Sequence, residues 1–173
     1  MGMAEYRRSD DELPFGGDAT GPNPTDRGKK GTKRSLLTEG NGVPIAVVVA
    51  GANRHDMKLL ADTIDAVVVE RPEPTEDNPQ HLCADKGYDY PECRLQARER
   101  NYNPHIRSRG EERREKTNNP SYRPRRWVIE VCHSWLNHFR KILVRFEKRV
   151  SNHLGLLQFA FAHIVLSRAG VLR

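Results

Sequence analysis

Residues 43–50 read Val-Pro-Ile-Ala-Val-Val-Val-Ala, a β-branched and almost uniformly apolar run. A run of that kind has no polar face to give to water, so it fits a strand covered on both faces. Residues 35–38, Ser-Leu-Leu-Thr, form a second apolar segment just upstream, and Glu39-Gly40-Asn41-Gly42 lies between the two. Asn-Gly between apolar runs is a strong hairpin signal, so residues 35–50 are expected to be a β-hairpin.

The elements that follow alternate in type. Asp56 suits the N-cap of a helix from Met57 to about Val67. Residues 70–80 carry three prolines and four acids and read as a surface loop. His81–Ala84 is a short apolar run, expected as a strand whose carboxyl end delivers Asp85. Pro91 opens a helix to about Arg100. Pro104–Arg107 suits a short strand, and the charged residues 109–124 an exposed loop. From Arg125 onward, Trp127, Val131, Trp135, Phe139, Ile142 and Phe146 recur at helical steps and predict one apolar stripe. A last helix is expected from a Ser151/Asn152 cap to Gly170. It is apolar nearly all round, hence buried or packed on a partner. The order is that of an α/β domain.

The chain has 173 residues, enough for one domain with a core of its own, and a net charge of +6. Residues 35–100 carry seven basic and twelve acidic side chains, whereas residues 101–173 carry fifteen basic and five acidic. Thirteen of those fifteen lie between Arg107 and Arg149. Such a block suits a polyanion, with nucleic acid the first candidate, or else a solvated basic face. Uninterrupted apolar stretches fall well short of a bilayer span, so no membrane partner is expected. The N-terminal residues lack the apolar core of a secretory leader. Three cysteines without a close pair argue against a disulfide scaffold or a four-cysteine zinc site, and a reducing cytoplasm is the default. The seven histidines are scattered and fit structural or solvent roles, and Cys132 fits a core position.

Two acids stand out. Asp85 closes an apolar strand, and Glu130 shares the polar face of its helix with Arg126, Ser134, Asn137 and Lys141. Two carboxylates from separate elements suit a divalent cation in phosphoryl transfer. The plainer alternative has Asp85 capping a turn and Glu130 pairing with Arg126.

Three segments, TGPNPTDRGKKGTKRSLLTEGNGVPIAVVVAGANRHD, ADKGYDY and RRWVIEVCHSWLNHFRKILVRFEK, together resemble the bacterial insertion-sequence transposases of the DDE type. The nearest group is the insertion-sequence-five family, and the similarity runs over about residues 14–168. The resemblance implies an RNase H-like mixed sheet flanked by helices. It implies binding of element-end and target DNA, DNA cleavage and strand transfer with Mg²⁺ (or Mn²⁺), action as a homo-oligomer, and a cytoplasmic, nucleoid-associated location. Asp85 matches the second acid of the triad and Glu130 the third. Asp56 also matches the family pattern, outside the triad. With the charge block, DNA contacts are expected from Arg107, Arg109, Arg123, Arg125, Arg126, Arg140, Lys141, Arg145 and Lys148. The first acid is expected near Arg7, where no aspartate stands, and Asp10 and Asp11 are three or four residues off. Residues 1–13 are therefore expected to be irregular, residues 14–173 to form the catalytic domain, and the first strand to be missing or altered. On that reading a sheet edge is left unpaired, and a non-catalytic DNA-binding remnant is the alternative to a working enzyme.

Overall fold

The computed structural model describes residues 2–5, 11–12, 16–108, 111–118 and 127–172. The expected hairpin is the longest pairing in it: β4 (Lys30–Thr38) runs antiparallel to β5 (Pro44–Gly51), with Ser35 opposite Val48 and Leu36 opposite Val47. Its connection is built on Glu39, whose carboxylate accepts from the amides of Asn41 (2.7 Å) and Val43 (3.1 Å). Gly42 takes a φ of 89°, and a Cβ there would stand 3.0 Å from the Val128 carbonyl. Glycine suits both the left-handed backbone and the close approach of a helix.

The other strands extend from this hairpin. β3 (Gly21–Pro22) pairs with the start of β4 on the side of β5. On the other side lie β1 (Gly2–Glu5), opposite Ser35–Thr38, and β2 (Asp11–Glu12), opposite Gly31 and Thr32. Next to β1, and parallel to it, comes β6 (His81–Ala84), followed by a parallel β7 (Asn103–Ile106). A strand therefore occupies the centre of the sheet where the sequence left the first strand missing or altered, and β1 and β2 both lie inside the stretch expected to be irregular. Four residues between two neighbours carry too little hydrophobic alternation to be recognised before the neighbours are known.

Alternation along β4 sends successive side chains to opposite faces. Leu37 points to a core under α1 (Leu60–Asp65) and α2 (Pro91–Glu99), shared with Ile45, Ile64, Leu82, Tyr88, Cys93 and Tyr102. Leu36 points to a second core under α4 (Trp127–Asn137), α5 (Arg140–Leu143) and α6 (Val150–Arg168), shared with Val47, Cys132, Ile142 and Leu157. Both leucines are fully buried, worth about 1.5–3 kcal/mol each. The result is a mixed sheet between two helical layers.

Several elements differ from expectation. Residues 56–59 are a 3₁₀ turn capped by His55, and the α-helix begins only at Leu60. The region expected as a charged loop contains α3 (Glu111–Asn118). Glu, Arg and Lys are good helix formers, and the Ser108 amide donates to the Glu111 carboxylate at 2.9 Å, half of a capping box. The stripe predicted from Trp127 to Phe146 faces the second core only in part: Ile142 is buried in it, and Trp135 and Phe139 pack against it. The helix breaks after Asn137, and the buried residues of α4 are Val128, Ile129, Cys132, His133 and Leu136. Trp127 and Phe146 are more than half exposed. Cys132 is fully buried, as expected. α6 starts at Val150 rather than at a Ser151/Asn152 cap and ends in a Schellman motif at Gly170, with Val171 N–H bonded to the Leu166 carbonyl. By length and composition α6 could cross a membrane, but His153, Leu157, Ala160, Phe161 and Ile164 face the second core.

Candidate functional site

The carboxyl end of β6 is the natural place to start. The strand stops at Ala84, and Asp85 caps a single 3₁₀ turn, Lys86–Tyr88. Its Oδ1 accepts the Gly87 amide at 2.7 Å, which fixes the direction of the carboxylate. Asp85 is half-buried, and Tyr88 anchors the turn in the first core. The far side of the turn is held by Arg94, which donates to Asp89 Oδ1 (2.7 Å) and to the Ile106 carbonyl of β7 (2.6 Å). Asp85 thus does cap a turn, as the plainer alternative had it, and that cap holds the carboxylate at the end of a strand of the sheet.

Glu130 lies in the first turn of α4 and is exposed. α4 packs on β4 and β1, and β6 is the other neighbour of β1. The two acids therefore come from elements that flank the same short strand. β1 ends at Glu5, and the parallel register that sets Gly2 beside Cys83 carries the end of β1 to the level of the Asp85 turn. Asp11 lies in β2, beside Thr32. Asp10 falls outside the described residues.

Carboxylate oxygens are the donors that Mg²⁺ prefers, usually one or two of them with water and phosphate oxygens. Asp85 and Glu130 have the right chemistry for it. Among the described residues, no group of three or more His, Cys, Asp or Glu side chains is gathered tightly enough to hold a metal ion. A cleft of about 360 Å³ beside α1 and α2, lined by Ile64, Asp65, Arg71 and Arg100, contains neither acid.

The expected DNA contacts divide into three groups. Arg140, Lys141 and Lys148 are exposed, and Arg107 is half-buried. Arg109, Arg123, Arg125 and Arg126 fall outside the described residues. Arg145 is a correction: it is fully buried. Its guanidinium donates to Thr32 Oγ1 (2.8 Å), to the Glu147 carbonyl (2.9 Å) and to the Lys148 carbonyl (3.3 Å). It ties the segment between α5 and α6 to β4 and has no face to offer a phosphate. A charge count along a sequence cannot register burial.

Arg34 on β4 is also buried, on the face of the second core. His133 and His153 lie on the same face. Burial, and then the Arg34 charge, lowers His133 to a pKa of about 3. Burial, then Arg145 and Arg34, lowers His153 to about 4. Both are neutral at pH 7, so the 3.9 Å approach of His153 Nδ1 to Glu147 is not an ion pair. Burial pushes the Cys132 thiol up to about 12, which rules it out as a nucleophile. Both histidines are buried.

Asp56 is largely buried and is not the N-cap: His55 Nδ1 accepts the Met57 amide at 3.4 Å, and Asp56 Oδ1 receives Lys33 Nζ at 2.6 Å.

The chain matches a family model described as a transposase DDE domain over residues 10–165. It is 37% identical over 151 residues to a Burkholderia cepacia protein named as a transposase for insertion sequence element IS402, covering 86% of this chain and 69% of that protein. No solved structure matches it.

Proposed function

The chain belongs to the transposase DDE domain family, and from that premise we propose that it binds the ends of an insertion sequence and performs metal-dependent cleavage and strand transfer on DNA. The carrying observation is the position of Asp85: a carboxylate fixed by its own turn, at the end of a strand adjacent to the central one. The strand order supports an RNase H-like reading of the fold. A three-strand antiparallel half (β5, β4, β1) is continued by parallel β6 and β7. Residues 14–173 are the catalytic domain on this reading, completed at the centre of its sheet by β1.

Asp85 and Glu130 are the candidate ligands of Mg²⁺ or Mn²⁺. A bound divalent cation supplies charge stabilisation for phosphoryl transfer. The chain's own contribution is to hold two carboxylates on rigid elements and to grip the DNA backbone. The cations proposed for that grip are Arg140, Lys141, Lys148 and Arg107, with Arg109, Arg123, Arg125 and Arg126. Arg145 is removed from the set by its burial. Action as a homo-oligomer at the nucleoid belongs to the same proposal.

The test is nicking of a duplex carrying an element end, with and without Mg²⁺. Asp85→Asn and Glu130→Gln are each expected to abolish cleavage. Cleavage that survives one of these changes removes that residue from the site. Absence of cleavage in the unaltered chain, together with DNA affinity that falls steeply with salt and ignores metal, selects the non-catalytic binding protein instead.

A further inference from the structure

We propose that the buried Lys33–Asp56 ion pair is a positioning device for the Asp85 turn. The inference rests on the assignment of Asp85 made above. Lys33 projects from β4 on the face of the first core, and its Nζ sits between Asp56 Oδ1 (2.6 Å) and the Arg54 carbonyl (3.0 Å). The two side chains are only 15% and 12% exposed. A pair so desolvated returns little net stability, because the cost of removing both charges from water offsets their attraction. What it does supply is direction: two polar groups with one geometry between them.

That geometry is imposed on residues 54–59. Asp56 opens the 3₁₀ turn Asp56–Leu59, and this turn packs against the second one, Lys86–Tyr88, which Asp85 caps. The His55 ring meets the Tyr90 ring edge-on, with centroids 5.5 Å apart. The segment from Asp85 to Tyr90 is therefore clamped between two ion pairs. Arg94–Asp89 holds it directly from the side of β7, and Lys33–Asp56 holds it through the neighbouring turn from the side of β4. Neither Lys33 nor Asp56 is a catalytic residue on this account. They act through Asp85.

The discriminating variant is Lys33→Met with Asp56→Leu, which removes both charges and keeps apolar volume. Amide hydrogen exchange on the full chain reads the turn directly, without metal or DNA. The expected result is at least about tenfold faster exchange at Gly87, Tyr88 and Asp89, with unchanged exchange across β4 and β5 and an undiminished thermal midpoint. In the cleavage assay, the Mg²⁺ concentration for half-maximal rate should rise. Unchanged exchange at residues 87–89 overturns the proposal. So does acceleration of the whole domain together, which would make the pair merely structural. Should the double variant fail to fold, Asp56→Asn decides by the same local-against-global comparison. A chain with no cleavage activity would sink the proposed function and leave the exchange result readable. Normal Mg²⁺ dependence in a variant with a loosened turn would sink the positioning role and leave the proposed function intact.

Discussion

Under α1 and α2, the sheet meets a core of Leu37, Ile45, Leu60, Ile64 and Leu82 with two tyrosines. The polar groups on that side come already paired. Thr63 Oγ1 stands 2.8 Å from Ser35 Oγ, Lys33 holds Asp56, and Arg100 forms a two-pronged bridge to Asp65 with both contacts at 2.7 Å. Under α4, α5 and α6 the same strand, β4, delivers Arg34 beside Leu36, and Arg145, His133 and His153 are buried with it. The first face matches Lys33 and Arg100 to carboxylates. The second matches the Arg145 guanidinium to a hydroxyl and to carbonyls, and keeps its imidazoles neutral through burial and the neighbouring positive charge. A face of the second kind tolerates no additional proton, and this asymmetry is measurable.

The largest effect should come from Arg145→Ala. It opens a cavity and strands the acceptors at Thr32, Glu147 and Lys148, and is expected to cost about 3–5 kcal/mol in chemical denaturation. A loss below about 1 kcal/mol would show that the second core does not depend on its buried cation. Next is acidification. His133 and His153 have folded pKa values depressed below the unfolded value of 6.5, so between about pH 6.5 and 4 the unfolded chain binds more protons than the folded one. Stability is therefore present above pH 6.5 and is lost as pH falls. From pH 7 to 5 the loss should be about 2 kcal/mol per histidine, and His133→Leu should remove about half of the slope. A urea midpoint that stays flat over this range would place the two faces on the same footing. Gly42→Ala should cost about 1–3 kcal/mol, since it combines a left-handed φ with a Cβ 3.0 Å from the Val128 carbonyl; a free fit there would mean that α4 yields. The smallest effect belongs to the first face. Arg100→Gln breaks a bridge whose Asp65 partner is 58% exposed, and should cost less than about 1 kcal/mol.

The same asymmetry explains what the sequence could tell. The first face was legible: the hairpin, β6, α2 and β7 fall where apolar runs, Asn41-Gly42 and Pro91 place them. Asp85 was legible too, as the polar residue ending a short apolar run. On the second face α6 was legible from its apolar composition, but α4 was not. The aromatic stripe of α4, with Trp127 and Trp135, packs only in part. The buried stripe includes His133 and Cys132 and faces a strand that carries an arginine, so hydrophobicity alone points the wrong way. The break after Asn137 has neither proline nor glycine to announce it. α3 could have been found from Ser108 and Glu111, spaced as in a capping box. The burial of Arg145 is invisible in the sequence, because a block of cations is silent about which one turns inward.

β1 joins two half-sheets that share no other strand-to-strand bond among the described residues: the antiparallel β4–β5 side and the parallel β6–β7 side. Adjacent strands lie about 4.8 Å apart, so without β1 the edges of β4 and β6 would face each other across about 10 Å, too far to bond. Four residues therefore act as a keystone. The partners they bridge lie about thirty and eighty residues downstream, so the arch cannot close until β6 has been made. Any change that loosens residues 2–5 should appear first as a parting of the halves, with Asp85 on one side and the hairpin that carries Lys33 on the other.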